Sequence, residues 1–86
     1  MRMWGKLWKD GHMLRDTVAE IWDGDTRTHQ VFRCLERICL DFDLEVPQWL
    51  EVNISDFKRT SKARFTRDSF IEQIEFDFLE IQVIEE

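Results

Sequence analysis

The most chemically versatile side chains of this sequence belong to two histidines and two cysteines. Imidazole and thiolate groups bind metals, and thiolates act as nucleophiles. They are His12, His29, Cys34 and Cys39. No two of them have the CxxC or HxxxH spacing that brings a pair of ligands onto one metal ion. Asp23 and Asp25 lie nearby but lack the further oxygen ligands of a calcium loop, so these acids suit turn and helix-cap roles. We expect no bound metal and no cofactor.

Catalysis by a serine nucleophile or a phosphate-binding loop is equally unsupported. Ser55, Ser61 and Ser69 lie outside any nucleophile-elbow pattern. The chain has three glycines, and they do not form a glycine-rich loop before a helix. Carboxylates are frequent in the last segment, but strand alternation places Glu80 outward, as on an ordinary solvated face. The sequence therefore predicts a protein that is not an enzyme.

The cysteines also bear on cellular location. Cys34 and Cys39 are five residues apart, which on a helix separates their directions by about 140° and prevents a disulfide. Unpaired cysteines are typical of a reducing compartment. No apolar run approaches membrane-spanning length, and charges interrupt the N-terminal segment too often for a signal peptide. These features predict a cytoplasmic protein without a membrane-spanning segment.

The clearest element that could position side chains is a helix over Arg27–Phe42. Its apolar residues recur at helical spacing and form one wide stripe, which consists of Val31, Phe32, Leu35, Ile38, Cys39 and Phe42. Asp25 or Thr26 can accept hydrogen bonds from the free N–H groups of the first turn. A stripe of this width requires a partner surface, so we expect the rest of the chain to supply a sheet.

A β-hairpin is predicted before the helix, with strands at Met3–Lys9 and His12–Trp22. Asp10-Gly11 between them is typical of a type I′ turn, whose two central positions need positive φ. A regular register predicts two partly apolar faces. Met3, Leu7, Leu14 and Val18 would lie on one face, and Trp4, Trp8, Met13, Thr17, Ala19 and Ile21 on the other, with Lys6 directly opposite Arg15.

The second half of the chain is less regular. Pro47 suits a first helical turn, and apolar spacing predicts a second helix over Gln48–Thr60. A loop follows, with a short extended piece at 64–66, and 69–74 is either one helical turn or part of the last strand. Leu79, Ile81 and Val83 alternate with polar residues in that strand. We predict a single α+β domain over residues 1–86, with a small three-stranded antiparallel sheet, helices packed on it, and the order β-β-α-α-β.

One functional hypothesis concerns the tryptophan face of the hairpin, formed by Trp4, Lys6, Trp8 and Arg15. Like charges opposed across two strands are unfavourable unless an acidic group relieves them, and exposed aromatic patches usually bind partners. This pattern predicts a protein-interaction module or a homodimer. In the alternative interpretation Trp4 and Trp8 are core residues covered by a helix.

A second hypothesis concerns a basic segment with one interleaved aromatic residue, a pattern suited to single-stranded nucleic acids. It consists of Lys58, Arg59, Lys62, Arg64, Phe65 and Arg67. The net charge of −6 and the seven acids that follow Arg67 argue against this partner, since acidic chains are repelled by phosphate backbones. The basic and acidic segments could instead neutralise each other within the fold.

Three stretches resemble a known group of proteins: MWGKLWKD, PQWLEVNISDFKR and RFTRDSFIEQIEFDFLEIQVIEE. They are similar to a group of small acidic bacterial proteins of unknown function. The resemblance covers nearly the whole chain. It implies an intracellular bacterial protein, and it carries no catalytic or binding residues.

Overall fold

The computed structural model describes residues 1–86 as a four-stranded antiparallel sheet with two helices. The strands are β1 (Arg2–Lys9), β2 (His12–Glu20), β3 (Lys62–Phe65) and β4 (Phe78–Glu85), and the helices are α1 (Arg27–Phe42) and α2 (Glu51–Thr60). The strands lie in the order β2-β1-β4-β3. The α+β class is confirmed, and the prediction of three strands is wrong. Neither helix has the length and apolar character needed to cross a lipid bilayer.

The additional strand, β3, explains the wrong strand count. It has only four residues, of which Ala63 and Phe65 are buried and pair with Ile81 and Leu79 of β4. Two apolar residues are too few to establish an alternating pattern on their own. The element order is therefore β-β-α-α-β-β, with β3 at an edge of the sheet.

Helix α1 has the bounds that the sequence predicts. Thr26 caps it, since its Oγ1 accepts a hydrogen bond from the His29 N–H at 3.3 Å. Asp43 ends it in a left-handed conformation, and the next residue, Leu44, donates its N–H to the Cys39 carbonyl at 2.9 Å. The buried face consists of Val31, Cys34, Leu35, Ile38, Cys39 and Phe42. Phe32, which the stripe includes, is exposed.

The hairpin turn is confirmed, because Asp10 and Gly11 have φ values of 52° and 76°. The predicted register is wrong beyond the first two pairs. Trp8 pairs with Met13, but Leu7 pairs with Arg15, so Leu14 is an extra residue that forms a β-bulge. Every following residue of β2 consequently lies on the opposite face from the one predicted.

The bulge places small residues of the hairpin beneath α1, where the helix packs closely. It places Thr17 opposite Gly5, and Ala19 opposite Met3, on the face that α1 covers. The Thr17 hydroxyl donates to Asp41 Oδ2 of α1 at 2.8 Å. A regular register would have turned Val18 toward the helix instead. Small residues beneath α1 therefore accompany the shifted register.

Helix α2 begins at Glu51 and not at Gln48. Residues 48–50 are not helical, Leu50 is extended, and the Gln48 N–H donates to the Ser69 carbonyl at 2.7 Å. Asn53 is buried and ties the helix to the sheet, since its side chain accepts from the Leu50 N–H at 2.9 Å and donates to the Arg64 carbonyl at 2.8 Å. These bonds hold β3 beside α2.

Between β3 and β4 the chain contains only a 3₁₀ turn at Arg67–Ser69. Neither prediction for 69–74, a helical turn or an extension of the last strand, describes this segment, because β4 starts only at Phe78. A single hydrophobic core lies between the helices and one face of the sheet. Its largest fully buried side chains are Phe65, Met1, Met3, Leu35, Ile38, Leu79 and Ile81.

Candidate interaction surface

Both helices pack on one face of the sheet, and no element covers the other, which we call the outer face. All four strands contribute side chains to it. They are Arg2, Trp4, Lys6 and Trp8 from β1, Met13, Asp16, Val18 and Glu20 from β2, Lys62 and Arg64 from β3, and Phe78, Glu80, Gln82 and Glu85 from β4. Residues paired across neighbouring strands share a face, which fixes this set.

An ion-pair network occupies the centre of the outer face. Lys6 Nζ lies 3.2 Å from Glu80 Oε1, and Arg64 Nε lies 3.1 Å from Glu80 Oε2. Lys6 and Glu80 are only 8% and 6% exposed, although no helix lies above them. Their neighbours on the sheet therefore exclude water from two charged groups that normally remain solvated.

Aromatic rings provide this shielding. Lys6 Nζ lies 3.8 Å from the centre of the Trp4 ring, and the Arg64 guanidinium carbon lies 4.8 Å from the centre of the Phe78 ring. Both contacts are cation–π interactions, which strengthen when the cation is desolvated. The rings of Trp8 and Phe78 stack with their centres 6.3 Å apart. The face thus alternates cations with aromatic rings around one carboxylate.

The two tryptophans differ in their hydrogen bonding. The Trp4 indole N–H donates to Asp16 Oδ2 at 2.9 Å, which fixes the ring above Lys6. The Trp8 indole N–H is buried and has no hydrogen-bond partner. The position of Trp8 therefore depends on ring contacts, including its stack on Phe78.

The pKa of Glu80 reflects its surroundings. Burial is the largest single influence and raises this pKa, because the interior disfavours a charged carboxylate. Hydrogen bonds from Arg64 and Lys6, together with their charges, outweigh burial and hold the pKa below its usual value. Glu80 is consequently ionised at neutral pH.

The charges of the central network continue across the whole sheet as one row. Asp16 pairs with Lys6, Lys6 with Glu80, and Glu80 with Arg64, on four adjacent strands. We call these four residues the charge row. Its signs alternate from β2 to β3 as negative, positive, negative and positive. Each charge therefore has an opposite charge beside it on the neighbouring strand.

The structure brings together three of the four residues of the predicted tryptophan face. Trp4, Lys6 and Trp8 lie side by side on the outer face and are not covered by a helix. Arg15 does not join them, because the bulge turns it to the other face. There it donates to the Asp41 carbonyl at 3.3 Å. The predicted opposition of Lys6 and Arg15 is wrong, and Lys6 is opposite an acid, Asp16.

Sequence reasoning missed the partners that complete the surface: Asp16, Phe78 and Glu80. The alternation of β4 correctly places Glu80 on the outer face, but the expectation of a solvated side chain is wrong, since Glu80 is 6% exposed. Its burial depends on the pairing of β4 with β1, two strands about seventy positions apart, and no local pattern encodes that pairing.

The predicted basic segment does not form one surface suited to nucleic acids. Phe65, the aromatic residue expected to stack on bases, is fully buried in the core. Arg59 and Arg64 form ion pairs with Asp56 and Glu80 at 2.9 and 3.1 Å. The segment divides among the last turn of α2 (Lys58 and Arg59), the outer face (Lys62 and Arg64), the core (Phe65) and the 3₁₀ turn (Arg67).

The histidines and cysteines are dispersed. His29 Nδ1 lies 3.1 Å from Asp25 Oδ1, and a hydrogen bond from the Thr26 N–H, followed by the contact with His29, lowers the pKa of Asp25. Cys34 and Cys39 are free thiols within the core, and burial raises the pKa of Cys39 to about 12. No three His, Cys, Asp or Glu side chains cluster as a metal site would require.

Two grooves lie elsewhere on the molecule. One, of about 330 Å³, runs between α1 and α2 and includes Phe32, Trp49 and Ile54 in its lining. The other, of about 540 Å³, lies between the hairpin and residues 70–76 and is lined by several acids. Neither groove contains a histidine, a cysteine or a serine in its lining.

Comparisons of the chain with protein-family models, with curated proteins and with solved structures found no match. The resemblance to small acidic bacterial proteins therefore stays a prediction.

Proposed function

We propose that this protein is a small cytoplasmic protein-interaction module whose binding surface is the outer face of the sheet. The observation that carries the proposal is the cluster of Trp4, Trp8 and Phe78 on a sheet face that no helix covers. A small domain gains most from placing its large aromatic residues in the core. Half-buried tryptophans on an open face are instead typical of residues that a partner covers.

The chemistry of the outer face supports a protein partner. Aromatic residues, methionine and arginine are enriched at the centres of protein interfaces, and the face presents Trp4, Trp8, Met13 and Arg64 together. Its buried charges are already paired, so a partner would not have to supply a counterion for Lys6 or Glu80. Burial of an unpaired charge would strongly oppose association.

A nucleic-acid partner, the alternative function, receives less support. Single-strand binding requires exposed rings beside unpaired cations. On the outer face each of the two cations nearest to the rings, Lys6 and Arg64, already contacts Glu80. The net charge of −6 adds long-range repulsion of phosphates.

The proposal includes no catalytic activity. The two thiols lie in the core, where burial raises the pKa of both and disfavours the nucleophilic thiolate. Neither cysteine lines either of the two grooves described above. The outer face is a surface of rings and neutralised charges, and this arrangement suits binding.

The proposal can be tested by site-specific photocrosslinking in the native host. A photoreactive phenylalanine analogue at Val18 probes the outer face, where that side chain is 46% exposed. The same analogue at Leu40, on the solvent side of α1, provides the control. We expect Val18 to give one discrete protein adduct that Leu40 does not give.

A second variant links the adduct to the aromatic cluster. Trp4→Ala with Trp8→Ala should abolish crosslinking from Val18 while circular dichroism still shows the helices. The proposal fails if Val18 gives no discrete adduct, if Leu40 gives the same one, or if the adduct survives in the folded double variant. Crosslinking to nucleic acid would instead favour the alternative function.

A further inference from the structure

We propose that the partner bound by the outer face is a second copy of this chain, in a two-fold symmetric dimer. The inference rests on the proposed function and names its partner. It is carried by the charge row, whose order of signs across the sheet makes the outer face complementary to itself.

The complementarity follows from the strand order. The sheet is arranged β2-β1-β4-β3, so its centre line lies between Lys6 of β1 and Glu80 of β4. Consider a two-fold axis that runs parallel to the strands, above that centre line. It places the outer face of a second copy against the first, with the charge row of the second copy running in the reverse order. Lys6 then faces Glu80 of the second copy, and Asp16 faces its Arg64. All four charges of each row meet an opposite charge.

The charges also favour this axis over a two-fold axis perpendicular to the strands. A half-turn about an axis perpendicular to the strands would place Lys6 on Lys6 and Glu80 on Glu80. Like charges juxtaposed in an interface are strongly unfavourable. Only the axis parallel to the strands matches every charge, and it produces an aligned sheet-on-sheet packing of the kind found in β-sandwiches.

The rows on either side of the charge row are compatible with the same axis. Trp8 and Phe78 are partners across β1 and β4, so each ring would stack against the other type in the second copy. Trp4 would meet Gln82, and Val18 would meet the aliphatic stem of Lys62. In the row that contains Arg2, this residue would meet Glu85, so none of these rows pairs two like charges.

Desolvation does not oppose this dimer at its centre. Removing an ion pair from water normally costs as much as the attraction returns. Lys6 and Glu80 are already more than 90% buried within one copy, so the second copy would remove little further water from them. Asp16 and Arg64, at the two ends of the row, are exposed in one copy and lie on the edge strands of the sheet, at the rim of the proposed interface.

The size of the outer face sets the expected strength. Three strands of eight or nine residues and the four-residue β3, spaced about 4.8 Å apart, present roughly 450 Å² in projection. That value corresponds to the smaller protein interfaces, which are typical of reversible association. We expect a dissociation constant in the micromolar range, about 1–100 µM.

A charge-swap experiment tests the arrangement directly. Asp16→Lys and Arg64→Glu each place like charges face to face at both ends of the row, so each variant alone should lose at least about tenfold in self-affinity per repelling pair. An equimolar mixture should form a heterodimer, because Lys at position 16 then faces Glu at position 64. Sedimentation velocity measures each state, and native mass spectrometry distinguishes the heterodimer.

Arg64→Glu places a carboxylate beside Glu80, and Asp16→Lys places an ammonium group beside Lys6 and removes the acceptor of the Trp4 indole N–H. A second pair of variants therefore protects the test against disturbance within one copy. Val18 and Lys62 are exposed and form no ion pair. Val18→Lys should dissociate the dimer, since it faces Lys62, and mixing with Lys62→Glu should restore association. Circular dichroism confirms that each variant is folded.

The outcomes separate this inference from the proposed function. A wild-type chain that stays monomeric up to about 1 mM, ten times the weakest expected dissociation constant, overturns the dimer. It leaves a foreign partner to be found by photocrosslinking at Val18. A dimer that persists in folded Asp16→Lys and Val18→Lys overturns the inference too, because it must use another surface. Dissociation of both variants and recovery in both mixtures support the dimer.

Discussion

Ile38 of α1 occupies the space in which any residue other than glycine at position 5 would place its Cβ atom. A Cβ built on Gly5 lies 2.5 Å from Ile38 Cγ2, well inside van der Waals contact. The absence of a side chain at Gly5 therefore sets how closely α1 approaches β1. Thr17, which pairs with Gly5 across the hairpin, is also small. The helix therefore packs close to the backbone of the sheet at this point.

This contact predicts the effect of Gly5→Ala. The added methyl group forces α1 away from β1, and we expect the free energy of unfolding to fall by about 1–3 kcal/mol. Urea denaturation measures the change. In an Ile38→Ala background the clash is absent, so the same Gly5 substitution should then cost much less. An equal cost in both backgrounds would show that the contact does not determine the spacing.

Leu35→Ala tests whether α1 organises the core. Leu35 is 1% exposed, and its truncation leaves a cavity between helix and sheet. We expect a loss of about 2–5 kcal/mol in the free energy of unfolding. The matched control is Leu40→Ala on the same helix, where the side chain is 76% exposed and the change should stay within about 0.5 kcal/mol. Similar losses at the two positions would contradict the assigned helix face.

The ionised form of Glu80 predicts a dependence of stability on pH. Because its pKa in the folded protein lies below the ordinary value of 4.5, the ionised pair stabilises the fold above that pH. The stabilisation is lost as the pH falls through the lowered pKa. Glu80→Gln should cost on the order of 3 kcal/mol at pH 7, since Lys6 loses its counterion.

Acid titration provides the measurement for Glu80. As the pH falls and Glu80 becomes protonated, the stabilities of wild type and Glu80→Gln should converge. Asp25 also has a lowered pKa, chiefly through the Thr26 N–H, so Asp25→Asn serves as a control for the acid sensitivity that remains. A constant difference between wild type and Glu80→Gln at all pH values would contradict the assignment.

The buried thiols predict slow chemical labelling. Burial raises the pKa of Cys39 to about 12, and burial also raises that of Cys34 despite the nearby N-terminal amine and Arg33 and Arg37. In native protein at pH 8 a disulfide reagent should modify neither thiol at an appreciable rate. Both should react in denaturant. Rapid labelling of the folded protein would show that the core opens readily around α1.

The elements that the sequence predicts well are those specified by local signals. The bounds of α1 follow from Thr26 and an apolar stripe, and the hairpin turn follows from Asp10-Gly11. In each case neighbouring residues supply most of the information, so no knowledge of the rest of the fold is needed.

The elements that sequence reasoning missed depend on distant contacts. Strand β3 is too short to recognise without β4, on which Ala63 and Phe65 pair. The ion pair of Glu80 requires β4 to lie beside β1, at the centre of the sheet. Trp4 and Trp8 were correctly placed together because both belong to one strand, where alternation alone decides the face.

The prediction of the hairpin register is wrong for a related reason. Met13 and Leu14 are adjacent, apolar and exposed, so the local sequence does not indicate which of them leaves the pairing. The register with Leu14 left out allows α1 to rest on Gly5, Thr17 and Ala19. The preference for this register comes from the packing of α1 on the sheet. It determines which face each residue of β2 after Leu14 occupies.

The bulge at Leu14 also identifies where β2 can lose a residue while its other side chains stay on the same face of the sheet. Loss of that one codon would leave Met13 opposite Trp8 and Arg15 opposite Leu7, with a regular hairpin and both surfaces intact. Loss of a codon farther along, at Thr17 for example, would turn the remainder of the strand over and bring Val18 beneath α1. Among descendants of this gene, single-codon deletions in the hairpin should therefore be tolerated at position 14 and be purged by selection from the stretch that follows.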